Sequence, residues 1–320
     1  MSDKRLRTLY VLDILKEHTN TDNGITMPRI LAELENRGIG AERKAVYEDI
    51  RALCDYYGAD IVMDRSGGNS DYRLLSRDFE TAELRLLVDA VQSSRFITKK
   101  KSDELIRKLE HLTSIHDARS LRGQVFVTNR IKTMNETIYY NVDEINLAIT
   151  DSKRITFNYF EWTPSKQKKL RHNGKRYTVS PLSLAWDNEN YYLIASEDGK
   201  IKHYRVDKMQ DIRMTDMPRE GADNFDTALY SNKLFGMFGG KEDSVTVRFD
   251  NALAGAVIDR FGSGVMMIPD GDGFTVTVNV EISPQFFAWL CGFGQGAKIT
   301  HPDHIKRDFM RFVKEILNNY

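Results

Sequence analysis

The sequence predicts a multidomain α+β protein, and three observations lead there. The chain has 320 residues, enough for two or three domains at about 100–200 residues each. Hydrophobic residues make up 41% and charged residues 29%, the balance of a chain that buries ordinary cores. The apolar period is helical in the first half and then alternates, so helices come first and strands later. On this pattern residues 1–75 are three helices and a hairpin, and 76–140 a helical linker. Residues 141–217 are a helix followed by strands. Residues 218–243 are a connection containing Pro218, Gly221, Gly236, Gly239 and Gly240, and 244–320 alternate strands with helices.

In the first module, helix one is expected from about Lys4 to Glu17, with Leu6, Leu9, Leu12 and Leu15 among its apolar positions. Thr26 is placed to cap helix two, and Pro28 is tolerated in a first turn. Helix two carries Ile30, Leu31 and Leu34 and ends near Gly38. Helix three is expected from about Glu42 to Tyr57. Val46, Ile50, Leu53, Cys54 and Tyr57 form its apolar stripe, while Arg43, Lys44, Tyr47, Glu48 and Arg51 take the opposite face. The first turn of a recognition helix is the end that enters a major groove. There arginine pairs with guanine, and tyrosine meets phosphate or a thymine methyl. A hairpin follows, with strands near Asp60–Asp64 and Tyr72–Leu75. Its turn is Ser66-Gly67-Gly68-Asn69, flanked by Arg65 and Arg73, which makes a wing for the DNA backbone. The module thus reads as a winged helix-turn-helix that meets duplex DNA through Arg43, Lys44, Tyr47, Arg51, Arg65 and Arg73. The competing reading is a small helical bundle whose charged face is only solvated.

Charge does not decide between the two. The chain has 46 basic and 46 acidic residues, so nucleic-acid binding needs a local patch. Net charge is −2 over residues 1–75, +3 over 76–140, +2 over 141–220 and −3 over 221–320. The negative first module weighs against binding. The linker reads as helix near Thr81–Arg95 and Lys101–Ser114. Its apolar surface and that of the last helix are the candidate faces of a homodimer.

The middle module opens with a helix over Asn141–Asp151. Strands follow at Lys153–Phe160, Arg176–Ser180, Leu182–Trp186, Tyr191–Ser196 and Lys202–Val206, with hairpin turns at 187–190 and 197–200. Five short strands after one helix predict a small barrel. Side chains alternate along a strand. Tyr204 and Val206 therefore share the core face, and His203 and Arg205 point outward together. Ser180, Tyr191 and Tyr192 lie on strands expected to adjoin them. Arginine and histidine beside aromatic rings suit a phosphate carried on a stackable base; they also suit an ordinary charged barrel surface.

Three stretches carry a family resemblance. Residues 42–50, Glu-Arg-Lys-Ala-Val-Tyr-Glu-Asp-Ile, resemble the recognition-helix signature of winged helix-turn-helix regulators with a WYL sensor domain. Tyr47, Asp49, Ile50 and the basic pair match, while Glu42 and Glu48 depart from the pattern. Pro181-Leu182-Ser183-Leu184 followed by Tyr191-Tyr192-Leu193-Ile194-Ala195 resembles the stretch that names the domain, with Tyr191 where tryptophan is usual. Tyr204-Arg205-Val206-Asp207-Lys208-Met209 resembles the second signature. The resemblance implies that the barrel is Sm-like and senses an anionic effector, a nucleotide or single-stranded nucleic acid. It assigns that contact to Ser180, Tyr191, Tyr192, His203 and Arg205.

In the last module Val245, Val247 and Phe249 alternate on a strand, and a helix over about Ala252–Phe261 follows. Strands at Val265–Ile268 and Phe274–Glu281 flank the turn 270–273. Ser283 caps a helix with Pro284 at its first position. A strand near Ala297–Thr300 precedes a helix whose apolar stripe is Ile305, Phe309, Phe312, Val313, Ile316 and Leu317. The order βαββαβ with a final helix predicts a ferredoxin-like sandwich. It resembles the C-terminal extension found after WYL domains. Gly292-Phe293-Gly294-Gln295-Gly296 follows a helix and precedes a strand, the wrong context for a phosphate loop, so it reads as a helix-ending turn.

Catalytic signatures are missing: there is no His-Glu-x-x-His, no Walker lysine loop and no Gly-x-Ser-x-Gly elbow. His301 and His304 lack the cysteines of a zinc site. Cys54 and Cys291 are far apart and read as reduced, buried apolar residues. No apolar run reaches the ~20 residues of a membrane span, and the basic N-terminus lacks a cleavage site. The expectation is a cytoplasmic, ligand-responsive transcriptional regulator that is not an enzyme, acts as a homodimer, and needs no cofactor, metal or membrane. The alternative is a nucleic-acid-binding accessory protein that modulates a nuclease or defence enzyme. A third reading is a nucleotide-directed enzyme that uses the winged module for interaction.

Overall fold

The computed structural model describes residues 3–65, 70–121, 137–221 and 225–320. The chain forms two compact units, Met1–Glu136 and Thr137–Tyr320. No helix among the described residues is long and apolar enough to cross a membrane.

The first unit begins with α1 (Asp3–His18), β1 (Ile25–Thr26), α2 (Met27–Asn36), α3 (Arg43–Ala52), β2 (Ile61–Asp64) and β3 (Asp71–Leu74). Val11, Ile14, Leu15, Ile30, Leu34, Val46 and Leu74 are buried together in one core. The strands form an antiparallel sheet in the order β1-β3-β2. Two residues carry no readable periodicity, so β1 was not expected. Thr26 occupies the N-cap of α2, but its side chain makes no capping hydrogen bond. The turn expected at 66–69 lies outside the described residues.

Helix three differs from expectation at its end. After α3 the chain makes one π-helical turn, Leu53–Tyr57, and stops at Gly58 with φ +75°, a left-handed conformation that favours glycine. A π turn is wider than an α turn and shifts the phase of the apolar stripe. Tyr57 is therefore 64% exposed instead of continuing the stripe. Cys54 is half-buried and Cys291 is exposed, where both were expected to be buried.

The rest of the first unit is α4 (Thr81–Ser93), α5 (Lys99–Glu110) and α6 (Ile115–Leu121). Glu80 and Glu83 form a capping box on α4, and Thr98 caps α5. Leu84, Val88, Ile106 and Leu121 pack as a second small core. This layer is tied to the first by Asn20, which donates to Asp117 at 2.8 Å. Arg77 adds hydrogen bonds to the carbonyls of Lys16 and Thr19.

The second unit opens with α7 (Ile138–Thr150), then β4 (Lys153–Trp162), β5 (Lys168–Leu170), β6 (Tyr177–Asp187), β7 (Asn190–Glu197), β8 (Lys200–Arg205) and β9 (Met209–Pro218). The strand order is β5-β4-β6-β7-β8, and β9 also pairs with β4. The strands expected at 176–180 and 182–186 are one strand. The register shifts between Pro181 and Ser183; a bulge accommodates a proline that cannot donate and bends the strand without ending it. The sheet curls around Phe157, Val179, Leu193 and Val206, all buried. Among the described residues β8 pairs with β7 alone. The curl is bridged where the Arg205 N–H donates to the Tyr159 hydroxyl at 3.1 Å.

After α8 (Thr227–Asn232) come β10 (Lys241–Asp250), α9 (Ala254–Phe261), β11 (Met267–Asp270), β12 (Gly273–Ile282), α10 (Pro284–Cys291), β13 (Ala297–His301) and α11 (Asp303–Leu317). The sheet is antiparallel throughout, in the order β11-β12-β10-β13. Val245, Val247, Phe249, Val276, Phe286 and Leu290 fill its core. Ser283 caps α10 by accepting from the Phe286 N–H at 3.3 Å. Gly292 follows α10, and a 3-10 turn at 294–296 leads into β13. The stripe on α11 is only partly used: Ile305 is buried, whereas Ile316 and Leu317 are exposed. His304 sits in the first turn of α11 and meets Asp243 at 2.7 Å. Among the described residues no cluster of histidine, cysteine and acidic side chains is placed to hold a metal.

Candidate functional site

The first candidate surface is the open face of α3. Arg43, Lys44, Tyr47, Glu48 and Arg51 are all exposed, and Val46 and Ile50 are buried on the opposite side. Asp49, between them, is also buried. It accepts from Arg7 Nε at 2.5 Å and from the Thr8 hydroxyl at 2.6 Å. That ion pair fixes the roll of α3 against α1, which decides which side chains face outward. Tyr47 lies 6.4 Å from the Tyr72 ring on β3. Burial and the Tyr47 hydroxyl push the Tyr72 phenol up to about 12, with Arg43 and Arg65 near enough to oppose the shift. Tyr47, Arg43 and Arg65 thus all act on the Tyr72 hydroxyl. Arg73 stands apart from this group. Its guanidinium donates to Asp64 at 3.1 Å, to Asp71 at 3.3 Å and to the Thr21 carbonyl at 3.3 Å. It ties the hairpin together.

The second candidate is a cavity of about 800 Å³ at the open end of the curled sheet. Its floor is three tyrosines. Tyr159, Tyr177 and Tyr204 come from β4, β6 and β8, with ring centroids 5.6–6.4 Å apart and planes near perpendicular. Phe157 stacks beneath Tyr177 at 5.3 Å. Offset and edge-to-face rings are the favoured aromatic arrangements. Tyr204 donates its hydroxyl to Glu197 at 2.9 Å. Burial raises the phenol pKa of both Tyr159, to about 12, and Tyr204, so both remain neutral donors at physiological pH.

The rim is cationic. Arg171, His172, Lys200 and Lys202 line it. Arg171 lies 5.8 Å above the Tyr159 ring and pairs with Glu161 at 2.8 Å. Lys202 pairs with Glu197, and no acidic partner binds Lys200 among the described residues. His172 and Asn173 both have left-handed backbones, with φ of 48° and 54°. Such conformations cost about 1–3 kcal/mol each and persist where the surroundings impose them. Here Asn158 holds the turn by donating to the Gly174 carbonyl at 2.9 Å.

The far wall is a polar chain. His203 Nε2 lies 3.1 Å from the Tyr230 hydroxyl on α8, and Glu281 on β12 accepts from the Gly240 N–H at 2.6 Å. Burial and the nearby Glu281 push the Tyr230 phenol pKa up. Burial holds His203 below the ordinary imidazole range against the Met237 carbonyl, which favours the cation. The ring is therefore neutral at pH 7.

The sequence-expected effector residues are spread more widely than this cavity. Tyr204 and Val206 are buried while His203 and Arg205 lie on the other face of β8, and Tyr192 is opposite Arg205 across the β7–β8 pair. Of the five residues, the cavity is lined by His203. Arg205 is held by both carboxylate oxygens of Asp207, at 3.0 and 2.9 Å, and by Asn190 at 2.8 Å. Ser180 is buried and accepts from the Glu220 N–H at 3.0 Å. Tyr191 packs on Trp186 at 4.7 Å, and Tyr192 packs with Ala185, Ile194 and Leu234. Sequence reasoning missed Arg171, His172, Lys200 and Lys202. The basic run over 166–176 was the available signal for the first two.

The family comparisons agree with this layout. The model of the WYL domain matches residues 140–214, and that of the WCX domain matches residues 241–317. No curated protein matches the chain. Among solved structures it is similar to "Proteasome accessory factor B/C (PafBC) of Arthrobacter aurescens". That likeness covers 99% of this chain and 49% of the other at 15% identity, with a TM-score of 0.30, so the chain spans about half the length of that protein. A structure titled "Crystal structure of a CRISPR Cas-related protein" is similar over 99% of this chain and 84% of its own, at 12% identity and a TM-score of 0.38. The chain therefore carries a match to the WYL domain over residues 140–214 and to the WCX domain over residues 241–317, and residues of the first, of the connecting segment and Glu281 of the second line one cavity.

Proposed function

We propose that this chain is a ligand-responsive, DNA-binding transcriptional regulator whose WYL domain senses an anionic nucleotide or single-stranded nucleic acid. The observation that carries the sensing half is the tyrosine-floored cavity with a cationic rim. Aromatic faces stack on bases of any sequence, and guanidinium and ammonium groups make charge-assisted hydrogen bonds to phosphate. The matches to the WYL and WCX domains are consistent with a regulatory role. In this reading residues 1–75 act as a winged helix-turn-helix, the curled sheet as an Sm-like barrel and the last domain as a ferredoxin-like module. The protein works in the cytoplasm as a homodimer, without catalysis.

An effector changes DNA affinity only if it prefers one arrangement of the protein over another. Removing Arg171 and Lys200 together, as Arg171→Ala/Lys200→Ala, should weaken binding of a short 5′-phosphorylated oligonucleotide. Each charge-assisted contact supplies roughly 1.5–3 kcal/mol, so calorimetry should show a loss of at least about tenfold. Equal affinity in wild type and double variant would remove the rim from the sensing site.

On the DNA side, Arg43, Lys44, Tyr47, Arg51 and Arg65 supply the contacts. Arg43→Ala should lower operator affinity by about 1–3 kcal/mol if it reads a base bidentately. Because Arg73 is bound to Asp64 and Asp71, Arg73→Ala should loosen the hairpin and leave the salt dependence of DNA binding little changed. Electrophoretic mobility shifts across a salt series separate the two. A slope that falls by about one unit in Arg73→Ala would instead mark it as a phosphate contact. Light scattering over a concentration series checks the dimer, and a monomer at every concentration with DNA present would remove it.

A further inference from the structure

We propose that Glu281 makes the cavity selective for a guanine base, by accepting hydrogen bonds from the ring N–H and amino group of that base while the phosphate lies on the cationic rim. This rests on the cavity being the sensing site proposed above. A buried carboxylate is out of place in a pocket that serves phosphate alone, because like charges at close range repel strongly where water is scarce. Glu281 is nevertheless about nine-tenths buried and lines the cavity. No cationic side chain pairs with it among the described residues. Its hydrogen-bond partner is the Gly240 N–H at 2.6 Å, and the Tyr230 hydroxyl lies near enough to feel its charge. A carboxylate offers about four acceptor positions, so at least two remain for a ligand.

Access to those positions depends on Gly239. A Cβ there would lie 3.3 Å from Glu281 Oε2 and 3.5 Å from His203 Cε1. The backbone of Gly239 is not left-handed, so its conformation does not call for glycine. What the missing side chain provides is an opening over the carboxylate. Gly240 is different: its Cβ would fall 2.0 Å from the Ile282 carbonyl oxygen, and glycine there is required by packing. The two adjacent glycines therefore serve separate ends, one letting β10 approach β12 and one leaving the acid open. Guanine carries two neighbouring donors on its pairing edge. Adenine carries an amino group beside an acceptor nitrogen, which would face the carboxylate lone pair to lone pair. The tyrosine floor lies in the same cavity and supplies a stacking surface for the base.

Calorimetry of the full chain with GMP, IMP, AMP and CMP tests the proposal. Wild type should bind GMP at least about tenfold more tightly than AMP or CMP, with IMP, which lacks the amino group, in between. Glu281→Gln keeps an acceptor for the Gly240 N–H and should reduce the preference for GMP to within a few-fold. Gly239→Ala leaves the acid in place and covers it, and should have the same effect, so the test survives if one variant fails to fold by circular dichroism. Equal binding of GMP and AMP to wild type would overturn the role of Glu281 and leave the sensing site standing. So would a preference unchanged in both variants. If none of the four nucleotides binds, the sensing-site reading falls with it.

Discussion

Replacing Asp49 with alanine should destabilise the first unit by about 3–5 kcal/mol, the range for removing one partner of a buried ion pair. Asp49 is buried, and so is most of Arg7, whose Nε lies 2.5 Å from it. Without the carboxylate, the Arg7 guanidinium loses its bonds to Asp49 and keeps a weak contact to the Ala45 carbonyl at 3.4 Å, and the Thr8 hydroxyl loses its bond to Asp49. Asp49→Asn should cost less, because an amide oxygen still accepts one bond. DNA binding should fall with stability, since the pair sets the roll of α3 and so the direction of Arg43 and Tyr47. Urea unfolding followed by circular dichroism reads the first effect and mobility shifts the second. A change below about 1 kcal/mol in Asp49→Ala would show that α3 is held by its apolar stripe alone.

Phe157→Ala should have a comparable effect in the second unit, again about 3–5 kcal/mol, the range for truncating a buried aromatic. Phe157 is fully buried, stacks on Tyr177 and meets Tyr159 and Tyr204 edge-on. A cavity beneath the tyrosine floor should also let the floor shift, so nucleotide binding should weaken even in the folded fraction. Thermal unfolding paired with calorimetry below the transition tests both parts. An unchanged nucleotide affinity in a destabilised variant would mean that the floor is rigid without Phe157 or is not in contact with the ligand. Tyr204→Phe is the milder companion: it keeps the ring and removes the bond to Glu197, and should cost about 1 kcal/mol.

Where a structural feature depended on one segment at a time, it was legible in the sequence. The opposed faces of α3 follow from a 3.6-residue period, and the buried Val46 and Ile50 obey it. The same alternation holds at the end of β8 and the residue after it, where Tyr204 and Val206 are buried and His203 and Arg205 are half-buried. The βαββαβα order of the last domain is likewise a run of local patterns, each bounded by its own turn. Even the capture of Arg205 by Asp207 was within reach, since residues two apart at a strand end lie on one side.

What the sequence could not show was which local faces would meet. Arg7 and Asp49 are 42 residues apart, and neither carries a period that points to the other. The π turn at Leu53–Tyr57 moved Tyr57 off its stripe because a single widened turn resets a phase that periodicity assumes constant. The cavity is the clearest case. Its floor joins β4, β6 and β8, its rim comes from the 3-10 turn at 171–174 and from β8, and its acid comes from β12 in another domain. Strand period tells which side a residue faces. Register and curl, set by long-range pairing such as the bulge at Pro181, decide what it faces. The sequence alone therefore determined most of the longer elements, their order and much of the inward or outward sense of their side chains, and missed β1, β5, β9 and α8. Tertiary structure decided the site, because a site is a set of distances between segments and no segment contains them.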